Sequence, residues 1–72
     1  MKYEIIGQDS VPDAMGNLPY ALLRECSTLS DADVWAKGYT KFGNLGGWDS
    51  VLVLSPNGKT KIEISEFGTQ YY

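Results

Sequence analysis

An α+β domain is expected, with a small antiparallel sheet of three to four strands packed against one or two helices and a C-terminal β-hairpin. Three signals lead there: a short alternating segment at the N-terminus, apolar residues at helical spacing between Leu18 and Leu29, and a turn sequence at 55–58 between two apolar runs. All 72 residues read as one domain, because a chain of this length has room for a single core.

Residues 2–6 alternate Tyr3 and Ile5 against Glu4 and Ile6 before Gly7, which predicts a first strand. Residues 8–16 are rich in turn formers, and Pro12 pushes Val11 away from helical geometry, so a loop follows. Asn17 has a side-chain oxygen suited to capping a helix, and Pro19 is tolerated in a first turn. Leu18, Ala21, Leu22, Glu25 or Cys26, and Leu29 then recur at helical spacing, with Tyr20 and Leu23 widening the apolar face. In such a helix Cys26 is a small core residue.

Ser30 is placed to cap a second helix, with Asp31 and Asp33 near its positive end, residues 34–37 as its body and Gly38 as its stop. The same letters also alternate through Tyr39, Lys41 and Phe42, so a strand reading of 31–42 stays open. Residues 43–47 form a flexible loop.

The clearest local signal is Ser55-Pro56-Asn57-Gly58, flanked by residues 48–54 and 59–67. Pro in the second place of a type I turn, followed by a left-handed Gly, gives a hairpin with a bulge. In that register Leu54 faces Thr60, Leu52 faces Ile62, Val53 faces Lys61 and Val51 faces Glu63. Leu52, Leu54, Ile62 and Ile64 then belong to the core. Gly68 ends the run, and residues 69–72 form a short last strand or a frayed tail.

Composition removes several chemistries. The chain has no histidine and a single cysteine, Cys26, so it forms no intrachain disulfide, no Ser-His-Asp triad and no Cys-His pair. Asp31 and Asp33 lie two apart, and the alternating Asp, central Gly and closing Glu of a calcium loop are missing. The glycines at 43–47 lead into Trp48 and a strand, whereas a phosphate loop needs a helix directly after its glycines. No catalytic residue, metal site or cofactor is expected, and the chain reads as a non-enzyme. Charges interrupt the N-terminal residues where a secretion signal needs an apolar run of about 7 residues. The longest apolar run, 51–54, is far short of the roughly 18 residues of a membrane span. With one unpaired cysteine, a cytoplasmic protein is expected.

The formal charge is −3, split as −4 through Val34 and +1 thereafter. Such a balance argues against general nucleic-acid binding, where a basic footprint supplies the affinity. The aromatics exceed what so small a core hides, and exposed Trp and Tyr make good anchors in protein interfaces. Trp35, Tyr39 and Trp48, around the 43–47 loop, are the candidate partner-binding aromatics, with Asp31, Asp33 and Asp49 as acidic companions that steer toward a basic partner.

Val34-Trp35-x-x-Gly38-Tyr39-Thr40-Lys41-Phe42, Asp49-Ser50-Val51-Leu52-Val53 and Gly68-Thr69-Gln70-Tyr71 resemble, in order, fragments of a small acidic phage-encoded anti-CRISPR inhibitor. They cover under half of the chain. The stronger acidity and acidic C-terminal helix of that inhibitor are missing here, so its mimicry of DNA does not carry over. What the resemblance implies is a phage or mobile-element protein that binds and blocks a host defence complex. The expected function is therefore a small protein-binding inhibitor acting on a larger protein or ribonucleoprotein complex. The alternative is a single-strand nucleic-acid module that uses sheet aromatics with Lys37, Lys41, Lys59 and Lys61. Self-association into a homodimer is a third reading.

Overall fold

Ile5 and Ile6 point to opposite sides of the first strand and both are buried, so β1 (Tyr3–Gln8) belongs in the interior of a sheet, with a neighbour on each edge. The computed structural model describes residues 1–72 and places it so. The other elements are β2 (Tyr20–Cys26), α1 (Leu29–Tyr39), a 3-10 turn (Lys41–Gly43), β3 (Ser50–Leu54), β4 (Thr60–Ser65) and β5 (Gly68–Tyr71). The strands form one sheet in the order β2-β1-β3-β4-β5, antiparallel throughout. The α+β expectation holds, with five strands in place of three or four and a single α-helix.

The helix expected between residues 18 and 29 is a strand, β2. Its apolar letters fit a 3.6 period, yet Tyr20 to Cys26 complete the hydrogen-bond ladder on the outer side of β1. Helix propensity is a weak prior, and satisfying the β1 backbone outweighs it. Asn17 caps nothing; its backbone N–H donates to Asp13 Oδ1 at 3.0 Å within the β1–β2 loop. Cys26 accordingly sits half-buried near the end of β2.

The expected second helix is present, with shifted ends. Thr28, not Ser30, is its cap, its Oγ1 accepting the Asp31 N–H at 3.1 Å. Gly38 lies inside the helix, and Thr40 closes it by donating from both N–H and Oγ1 to the Ala36 carbonyl. Beyond it Phe42 holds a left-handed φ of 63°. At 11 residues α1 is too short for a bilayer, and no helix is long and apolar enough to cross one.

The turn at 55–58 forms as expected: the Gly58 N–H donates to the Ser55 carbonyl at 2.8 Å, and Gly58 takes a φ of 85°. The register beyond it differs. Leu54 does face Thr60, but Lys61 is then an extra residue, so Val53 faces Ile62, Leu52 faces Glu63 and Val51 faces Ile64. One bulge therefore exchanges the faces: Val51 and Val53 are fully buried, while Leu52 and Leu54 lie half-buried on the other side. Ile62 and Ile64 are core, as expected. A second bulge at Leu23 shifts the β1–β2 register between Ile5 and Ile6.

The core is one cluster: Ile5, Val51, Val53, Ile62 and Ile64 from the sheet, against Ala32 and Ala36 of α1. Burying each large side chain contributes ~1.5–3 kcal/mol, while the net stability of so small a core rarely exceeds ~3–5 kcal/mol. Ile62→Ala should therefore cost ~2–4 kcal/mol and unfold much of the protein, whereas Leu52→Ala on the other face should cost less than half of that. Urea denaturation of the two variants checks this, and equal losses would contradict the register.

Candidate functional site

With α1 packed on β1, β2 and β3 from one side, the opposite side of the sheet has no covering element. Its composition follows from the strand pairings. Across β2, β1 and β3 the first row reads Glu25, Glu4, Leu54; the second, Leu22, Ile6, Leu52; the third, Tyr20, Gln8, Ser50. On β4 the same rows continue as Thr60, Glu63 and Ser65. An antiparallel sheet ordinarily turns polar residues to water. Here the centre of the exposed face is apolar: Leu22 is 52% and Tyr20 68% exposed, and Ile6 forms the floor between Leu22 and Leu52. Glu4, Ile6, Gln8, Tyr20, Leu22 and Leu54 line one shallow groove. A contiguous apolar patch rimmed by polar residues marks an interaction surface far better than scattered exposed side chains do.

The sequence-predicted candidates lie elsewhere, and most are occupied within the fold. Trp35 and Tyr39 stack on each other at 5.1 Å between ring centroids and pack against the core, with the Arg24 guanidinium 5.8 Å from the Trp35 ring. The Tyr39 hydroxyl lies against Gly46, where a Cβ would collide with it. Trp48 lies flat over Gly7 on the helix side of β1, so close that an added methyl would strike its indole Cδ1 and Cγ. Asp33 pairs with Lys37 at 3.4 Å and accepts from the Tyr71 hydroxyl at 3.4 Å, which ties α1 to β5. The Tyr71 contact first, and then Asp33, hold Lys37 above its ordinary pKa. Asp31 is exposed in the first turn of α1.

Asp49 staples two loops: its Oδ2 accepts from the Ser10 N–H at 2.6 Å and from the Ser10 hydroxyl at 2.7 Å. Those two bonds, the backbone one foremost, hold its carboxyl below the ordinary 3.8. Thus the six candidates do not converge on one surface. Among the remaining aromatics Phe42 and Phe67 are almost wholly exposed at separate turns. No three Cys, Asp or Glu side chains come together as a metal-binding group.

Sequence reasoning missed Tyr20, Leu22, Leu52 and Leu54 as surface residues. A signal for Leu52 and Leu54 existed: residues 51–54 are apolar without alternation, the pattern of a strand with apolar residues on both faces. Comparison with protein families, curated proteins and solved structures finds no match to this chain.

Two outcomes check this layout. Gly7→Ala should displace Trp48 from the sheet and shift its fluorescence to the red in a Trp35→Phe background; unchanged emission would contradict the contact. Asp49 has a lowered folded pKa, so its contribution to stability is present above 3.8 and is lost as the pH falls through the folded value. Asp49→Asn should therefore be less stable than the parent at neutral pH, and the difference should shrink as the pH drops below 3.8. Denaturant titrations at a series of pH values measure it.

Proposed function

We propose that this chain is a non-enzymatic protein-binding module that works by occupying a surface of a larger partner. The observation that carries the reading is the uncovered face on which Tyr20 and Leu22 stand exposed beside half-buried Leu52 and Leu54, over a floor of buried Ile6. Keeping such side chains in water forgoes ~25 cal/mol for each Å² of apolar area, and contact with a partner recovers it. The anti-CRISPR resemblance supplies a setting, the blocking of a host defence complex. Its three fragments fall on the C-terminal half of α1 with the turn after it, on Asp49 with β3, and on β5.

Charge weighs against the nucleic-acid alternative. Stacking bases on this face would set phosphates beside Glu4, Glu25 and Glu63, while Lys37 belongs to the helix layer and Lys59 and Lys61 follow the turn at one end of the hairpin.

Capture from a lysate of the native host tests the reading, comparing the parent with Leu22→Lys. Leu22 is half-exposed on an edge strand, so the variant should keep its denaturation midpoint. It should lose at least about tenfold of the captured partner, the effect of one central anchor. Capture that is indifferent to Leu22, or micromolar binding of single-stranded DNA or RNA at about 150 mM salt, would overturn it.

A further inference from the structure

The apolar side chains of the uncovered face follow a diagonal, from Leu54 through Leu52 and Ile6 to Leu22 and Tyr20. Carboxylates stand on both sides of it: Glu4 and Glu25, direct neighbours in the β1–β2 ladder, on one side and Glu63 of β4 on the other. The single ion pair of the molecule, Lys37 with Asp33, belongs to the helix layer, so none of these three acids has a cation, and Lys2 does not pair with Glu4. Tyr72 donates to Glu63 at 2.8 Å, which solvates that carboxylate without neutralising it. Like charges directly opposed on neighbouring strands are destabilising, and Glu4 against Glu25 is such a pair.

Strands lie about 4.8 Å apart and rise about 3.4 Å per residue, so the diagonal spans roughly 17 Å. Three turns of α-helix cover roughly 16 Å. We infer that this face receives a basic amphipathic α-helix of a partner protein. Its apolar stripe lies along the diagonal, and its Lys or Arg side chains reach Glu4 and Glu25 on one flank and Glu63 on the other. This deepens the protein-binding reading above and rests on it.

Other occupants fit less well. Two copies related by a two-fold axis in the plane of the face would set acidic flanks on acidic flanks, which opposes association. Added strands would need an open edge. β2 carries a bulge together with Arg24 and Glu25, and β5 has only 4 residues. Nucleic acid and anionic membranes share the sign of the flanks.

Three synthetic peptides of about 14 residues test the inference. One is helical, with a Leu stripe at i, i+4, i+7 and Lys on both flanks; the second replaces each Lys by Glu; the third scrambles the first to destroy the stripe. Binding is followed by NMR of the labelled protein and by fluorescence anisotropy at about 50 and 150 mM salt. The Lys-flanked helix alone should perturb Ile6, Leu22, Leu52 and Leu54, and it should bind more weakly at the higher salt. Leu22→Lys and the pair Glu4→Lys, Glu63→Lys should each weaken it by at least about tenfold. The pair Glu4→Gln, Glu63→Gln should act in the same direction with smaller effect, and it serves if the charge-reversed protein fails to fold.

Equal binding of the Glu-flanked or scrambled peptide overturns the inference. So does an absence of perturbation on this face, or a concentration-dependent doubling of mass in sedimentation that perturbs the same residues. Each of these leaves the Leu22-dependent capture described above as a separate result, so failure of the basic-helix inference is distinguishable from failure of the protein-binding reading.

Discussion

Ala32 and Ala36, one helical turn apart, bring α1 down onto Ile5, Val51, Val53, Ile62 and Ile64. Larger residues at either position would lift the helix and open voids in a core of seven side chains. The short side chains leave the aromatic bulk to the flanks, where Trp35 and Tyr39 stack beside the helix and Trp48 fills the space over Gly7. Because this one contact uses the only α-helix, the second face of the sheet is left without a cover. The core and the candidate surface are thus two consequences of the same arrangement.

Local backbone chemistry was the most legible part of the fold. The turn at 55–58, the first strand and a helix around residues 30–37 all carry their signals within a few residues, and each is found close to its expected place. What failed depended on partners far along the chain. Residues 18–29 have a helical period, but β1 lies exposed on one side until Tyr20 to Cys26 pair with it. The hairpin register turned on Lys61: inserting a single residue into β4 reverses which of Leu52 and Val53 meets the helix.

The candidate site was less legible for a related reason. Trp35, Tyr39 and Trp48 are prominent letters, and each has binding chemistry, yet tertiary contacts draw all three into packing on the helix side. Asp33 and Asp49 are likewise engaged, one by Lys37 and Tyr71, the other by Ser10. The residues left free are ordinary aliphatics whose exposure follows from the sheet register, and register is a non-local property.

The strand order has a further consequence. β1 pairs with β2, β3 with β4 and β4 with β5, each with its neighbour in sequence, so a single non-local seam between β1 and β3 joins two locally built halves. The apolar diagonal straddles that seam, with Ile6, Leu22 and Tyr20 supplied by the first half and Leu52 and Leu54 by the second. Neither half holds a complete surface by itself. The apolar diagonal is therefore a property of the finished chain, created by the same pairing that closes the domain.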